Sequence, residues 1–279
     1  VRSGEWHTRV VSRIGVARCL AAAVLFGASG PAASVLAGNM PALVLAGLLY
    51  LGAAIAVTPA VLRHRTSVTS LGAGWRSLAV AVVFGGALGP VLLVAGLART
   101  SAATASLLLN FELVATILLA ATLFREHLGA RLLAAAALVS TAGGVLLWQP
   151  RVAFATGGVF VVGACACWGL DNAVTSEIDQ FTPEQITLTK GLVAGAANLM
   201  LGLILASSLD LRADGRGVGG VGDRCARLRR LHHPLGQRGP RPGRCPGQVI
   251  FAAAPFIGAT VAWGVLGEAI TVAQFVAGP

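Results

Sequence analysis

The sequence predicts an all-α integral membrane protein, a ten-helix inverted repeat of five plus five helices. Three observations predict it. Of 279 residues, 56% are hydrophobic and 11% charged, with a mean hydropathy of +0.78; a soluble domain carries roughly 25% charged residues. The apolar residues form continuous blocks of about twenty, enough to span ~30 Å of hydrocarbon as helix. The blocks also recur at one fixed offset. Only helices or closed barrels satisfy their backbones in lipid, and unbroken rather than alternating blocks select helices.

The elements follow in order. Residues 1–18 form a basic tail with Arg2, Arg9, Arg13 and Arg18. The first span, 19–38, reads as a retained helix rather than a signal peptide, because more spans follow. Pro41 opens the second span, 41–62. The third, 77–98, holds Gly85 and Gly89, a four-residue spacing that lets helix backbones approach closely. The fourth, 104–126, carries Glu112 near its middle and ends on Glu126. The fifth, 132–148, ends in the interfacial Trp148. The sixth, 158–175, contains Trp168 and Asp171, and the seventh, 186–209, holds Lys190 and the Gly191/Gly195 pair. The ninth covers 248–267; a tenth begins near Ile270 and is too short to cross before Pro279. With the N-terminus cytoplasmic, the early inner segments hold nine arginines against two outside, Arg99 and Arg151. That asymmetry predicts an N-in, multi-pass protein.

Shifting the chain by 142 residues aligns Phe26-Gly27 with Trp168-Gly169, Pro41 with Pro183 and Glu126 with Glu268. The units are 19–148 and 157–279. Five spans per unit is odd, so the second lies inverted, a recurrent transporter architecture with its substrate site at the interface near the midplane.

Several runs carry a resemblance: Phe-Gly-Ala-Ser at 26–29, Ala-Ser-Leu-Leu-Leu-Asn-Phe-Glu at 105–112, Arg-Glu-His-Leu-Gly at 125–129, Gln-Val-Ile-Phe-Ala-Ala-Ala-Pro at 248–255 and Leu-Gly-Glu at 266–268. Together they resemble the EamA family of the drug/metabolite transporter superfamily, over about 19–211 and 247–279. The resemblance implies ten helices in two units and transport of a small metabolite or drug, often export, across the inner membrane. Two departures stand out: helix 8 is disrupted and helix 10 is incomplete.

The offset maps the third span onto 219–240, where a helix is due. Instead 212–247 is rich in Arg, Gly and Pro, with eight arginines between Arg216 and Arg244. Removing those eight and Asp223 from the net charge of +10 leaves +3. The basic balance therefore belongs to one segment, and nucleic acid is not an expected partner. Arginines at 224, 227, 229 and 230 are costly in lipid. Two compensating frameshifts, near 214–222 and near Pro246-Gly247, would keep length and lose chemistry. With free choice of synonymous codons, 223–245 read one base later can become an apolar span. The sequence thus supports three readings: a working permease, an inactive product of a frameshifted and truncated gene, or a membrane anchor whose basic loop binds an acidic partner.

The residues expected to line a substrate or proton pathway are Glu112, Asp171, Asn110, Trp168, Lys190 and Pro255. An intramembrane carboxylate is expensive unless used, so Glu112 takes a proton or a substrate cation, or else hydrogen-bonds neighbouring helices. Asn110, two residues away, fits a packing hydrogen bond better. Asp171 lines the cavity or is solvated at the interface; Trp168 lines the path or packs. Lys190, the single lysine, snorkels or pairs with Asp171. Pro255 breaks the ninth helix at cavity depth or is tolerated there. Glu126 and Glu268 cap the following helix or fix a loop. No GxxxxGK[ST] loop, nucleophile–base set or cofactor motif is present, so the chain reads as a gradient-driven carrier and not an enzyme. Cys19, Cys165 and Cys167 read as small buried hydrophobes. Cys225, His232, His233 and Cys245 fit no zinc spacing.

Overall fold

The computed structural model describes residues 13–63, 74–124, 129–148, 152–176, 178, 181–213 and 253–277, and no strand occurs among them. The helices are α1 (Arg13–Ala37), α2 (Ala42–Arg63), α3 (Trp75–Leu97), α4 (Ala102–Leu108), α5 (Phe111–Phe124), α6 (Ala130–Leu147), α7 (Val152–Thr175), α8 (Pro183–Ala213), α9 (Ala254–Gly264) and α10 (Val272–Ala277). Six described segments are long and apolar enough to cross a membrane: α1, α2, α3, α4 with the start of α5, α7 and α8. The apolar part of α6, Leu132–Leu147, is shorter. The chain is a multi-pass membrane protein. The segment 212–247 lies, apart from the end of α8, outside the described residues, as do Glu126 and the cysteine–histidine group.

Two spans differ from the sequence reading. The third is continuous, but its middle, Ala81–Leu88, is π-helical. The fourth is not one helix: a turn at Leu109-Asn110 separates α4 from α5. Glu112 consequently sits in the first turn of α5 rather than mid-helix. The break is tolerated because Leu109, Asn110, Glu112 and Leu113 keep backbone bonds to carbonyls three residues back, so few groups face lipid unsatisfied.

Every residue of α4 is buried. Its run Ala-Ala-Thr-Ala-Ser is small enough for α1, α7 and α9 to close around it, and the core joins Ala33, Leu45, Val94, Val161, Cys165 and Ala259 to it. The α2–α8 crossing uses glycines. A Cβ on Gly47 would lie 2.6 Å from Leu199 N, and one on Gly191 2.6 Å from Tyr50 O. Such contacts replace the hydrophobic drive that lipid cannot supply.

Two crossings match each other. Gly27 of α1 lies against Ala254, Ile257 and Gly258 of α9, while Gly169 of α7 lies against Ala115 and Thr116 of α5. Adding 142 to 27, 115 and 116 gives 169, 257 and 258.

Candidate functional site

The site grows from the π-helical stretch of α3. Bonds that run to the fifth residue instead of the fourth leave carbonyls without their ordinary partners, and side chains from three other helices reach carbonyls there. Tyr50 of α2 donates its hydroxyl to Gly85 O at 2.6 Å, Trp168 of α7 donates Nε1 to the same oxygen at 3.1 Å, and Asn198 of α8 donates Nδ2 to Ala87 O at 3.0 Å. Small residues make this reach possible. A Cβ at Gly85 would strike the Asp171 carboxylate, one at Gly86 would lie 2.8 Å from Ala194 Cβ, and one at Gly89 2.9 Å from Trp168 Nε1. The Gly85/Gly89 spacing thus marks a close helix approach, as the sequence suggested.

Asp171 sits in that notch, 7% exposed. Lys190 Nζ lies 2.6 Å from each of its carboxylate oxygens, and Thr175 Oγ1 donates to Oδ1 at 3.1 Å. Of the two readings for Lys190, the geometry is the ion pair and not snorkelling; burial likewise sets aside interfacial solvation of Asp171. An ion pair so removed from water holds only with good geometry and further hydrogen bonds, and the bidentate contact and Thr175 supply both.

Glu112 stands one turn inside α5. Asn172 of α7 donates Nδ2 to Glu112 Oε1 at 2.8 Å, with Thr116 Oγ1 3.5 Å from the same nitrogen. Asn110 donates Nδ2 to Leu107 O at 3.0 Å, a local bond back to the end of α4. Cys165 Sγ approaches Leu108 O at 3.5 Å, so the buried thiol serves the break between α4 and α5. Pro255 lies in the first turn of α9, where a missing N–H costs nothing; it does not break the described helix.

The structure therefore gathers Trp168, Asp171 and Lys190 around Gly85, sets Glu112 with Asn172 nearby, and leaves Asn110 and Pro255 in backbone roles. Sequence reasoning missed Tyr50 and Asn198. Tyr50 is the only tyrosine of the chain, and Asn198 is a lone amide in an apolar run; both were available signals. It also missed the partners of Glu268, which accepts from Ala102 N at 2.8 Å and Ala103 N at 2.9 Å. Glu268 caps α4, not the helix that follows it. Chemically, the site offers one neutralised ion pair and one carboxylate held by an amide. Among the described residues no group of three His, Cys, Asp or Glu side chains could hold a metal.

Residues 13–148 match the EamA-like transporter family. No curated protein sequence matches the chain. A solved crystal structure of a protein with 16% sequence identity superposes with a TM-score of 0.58, covering 94% of this chain and 91% of that one. At that identity the likeness concerns the fold alone.

Proposed function

Because residues 13–148 match the EamA-like transporter family, we propose that the chain is an inner-membrane permease. It moves a small metabolite or drug, in the export direction, with its N-terminus in the cytoplasm. One observation supports the reading: residues that match a transporter family lie on a multi-pass bundle that holds a buried ion pair beside a half-buried carboxylate. Two inverted five-helix units would rock about the site. The exchanged crossings of Gly27 and Gly169 support that duplication. Glu112 couples transport to protons, because its partner is a neutral amide and it can exchange a proton without breaking an ion pair.

The test is flux in liposomes holding the full chain under an imposed proton gradient, screened with small metabolites and cationic and neutral drugs. Flux that tracks the gradient is expected. Glu112→Gln should keep flux and flatten its pH dependence; an unchanged pH profile rejects proton coupling through Glu112.

A second reading has its own observation. The 142-residue relation holds at Gly169 and again at Ile257 and Gly258, on both sides of the arginine-rich segment. Text between them has kept its length and lost an apolar span, which favours an inactive, frameshifted product. The genomic sequence across 210–250 decides this: stops or polar text in the alternative frame would remove it.

A further inference from the structure

We propose that Asn172 is the positioning residue that sets the proton affinity of Glu112, and that Thr116 is the acceptor that takes the Asn172 amide when the proton arrives. The inference rests on the proton-coupling reading above. Three side chains form the device. Asn172 of α7 directs Nδ2 at Glu112 Oε1, 2.8 Å away, and at Thr116 Oγ1, 3.5 Å away. Only the NH2 end of the amide fits there, because Oδ1 would face a carboxylate oxygen with no proton between them. Thr116 is aimed by a bond of its own: its hydroxyl donates to Glu112 O at 2.8 Å. That uses its single hydrogen and leaves its lone pairs for a donor. The amide thus holds one short bond and has one waiting acceptor, both on α5.

The two acceptors favour opposite protonation states. A hydrogen bond to a carboxylate is charge-assisted and roughly twice as strong as a neutral one, so Nδ2 on Oε1 stabilises ionised Glu112. Protonation removes that charge. Nδ2 then moves the short way to Thr116 Oγ1 and keeps a full bond. Thr116 thereby stabilises the protonated state, and the balance of the two bonds sets the affinity. The other ionisable groups nearby are already engaged or remote. Among the described residues, Asp171 is held by Lys190 and Thr175, Tyr50 gives its hydroxyl to Gly85 O, and the Cys165 thiol faces Leu108 O. Cys167, the second thiol of α7, is buried, and Arg131 belongs to the first turn of α6, which follows the far end of α5. Packing alone does not call for the trio. At the matching crossing the three positions are Gly30, Ala254 and Gly258, and α1 and α9 still close there.

Carbodiimide labelling of the full chain in lipid nanodiscs tests this without any flux. Dicyclohexylcarbodiimide modifies protonated carboxyl groups, and peptide mass spectrometry reads the yield at Glu112 against pH. In the wild type, labelling should fall through one midpoint as pH rises. Asn172→Leu should raise that midpoint by about one unit, since the ionised state loses a charge-assisted bond. Thr116→Val, nearly isosteric, should lower it by about half a unit, since the protonated state loses its neutral bond. The double variant should match Asn172→Leu, because Thr116 then has no amide to receive. Midpoints that both stay, or that move in one direction, mean general packing or solvation and overturn the proposal. A double variant that differs from Asn172→Leu overturns the hand-over to Thr116. No labelling at any pH means that Glu112 takes up no proton, and overturns it as well. Opposed shifts with pH-independent flux in liposomes would instead sink the proton-coupled permease reading and leave the role of the amide standing.

Discussion

Gly169 and Gly27 sit at matching crossings, yet the chemistry around them is opposite. Beside Gly169 stand Glu112, Thr116 and Asn172, joined by side-chain hydrogen bonds, with Asp171 next to Asn172 and paired with Lys190 of α8. At an offset of 142 the same places hold Ala254, Gly258, Gly30, Ser29 and Leu48. There a Cβ on Gly258 would lie 2.7 Å from Ser106 Oγ and one on Gly30 3.7 Å from it, so small residues close around one hydroxyl. The difference teaches that helix packing tolerates copying while a site does not need to be copied. Charge inside a membrane is expensive, so a polar focus on one side only is the cheaper arrangement.

The largest expected effect comes from breaking the polar side. Lys190→Met leaves Asp171 buried without its cation. The expected cost is about 3–5 kcal/mol of stability, read by equilibrium unfolding of the purified chain. Lys190→Met with Asp171→Asn should recover most of that loss, since no charge is then stranded. If the single variant is as stable as wild type, the pair contributes no stability and the two crossings differ only in function.

How much of this was legible in the sequence divides along the same line. The spans were legible because lipid imposes a length and an apolar composition that no tertiary contact can waive. The glycine crossings were legible because close approach leaves a four-residue mark, as at Gly85 and Gly89. Glu112 stood out because a carboxylate in an apolar run is costly. What stayed hidden depends on partners far along the chain. The π-helical stretch around Gly85 has no local signature; its Gly85 and Ala87 carbonyls accept from Tyr50, Trp168 and Asn198, all distant in sequence. The turn at Leu109-Asn110 likewise follows no proline or glycine, and Glu268 finds amides 166 and 165 residues away.

The next effect sharpens the likeness. Gly27→Val and Gly169→Val each drive a side chain into opposing backbone, against Ala254 O and against Thr116 N respectively. Overpacking of this kind costs about 1–3 kcal/mol, and the two should lose stability alike. Only Gly169→Val should also alter the pH dependence of flux, because it moves α7 and Asn172 away from Glu112. Gly52, with nothing within 4 Å of its Cβ position, is the control: Gly52→Ala should be neutral or stabilise α2 by up to about 1 kcal/mol. Unequal losses in the first two would mean the crossings are alike in outline and not in tightness.

The smallest effect separates packing from hydrogen bonding at the break. Cys165 is fully buried with its thiol facing Leu108 O, and its counterpart at the 142 offset is Ala23, also 0% exposed. Cys165→Ala therefore makes the polar side resemble the apolar one at a single position. It removes a weak S–H donor and a small volume, and should cost about 1 kcal/mol. Cys165→Ser restores a donor of similar size and should recover about half of that in the same unfolding measurement. Equal losses for both variants would assign the thiol to packing alone. A loss in Cys165→Ala well above that size would instead show that the break before Glu112 depends on the thiol, and that the polar side is held open by a bond its apolar twin does without.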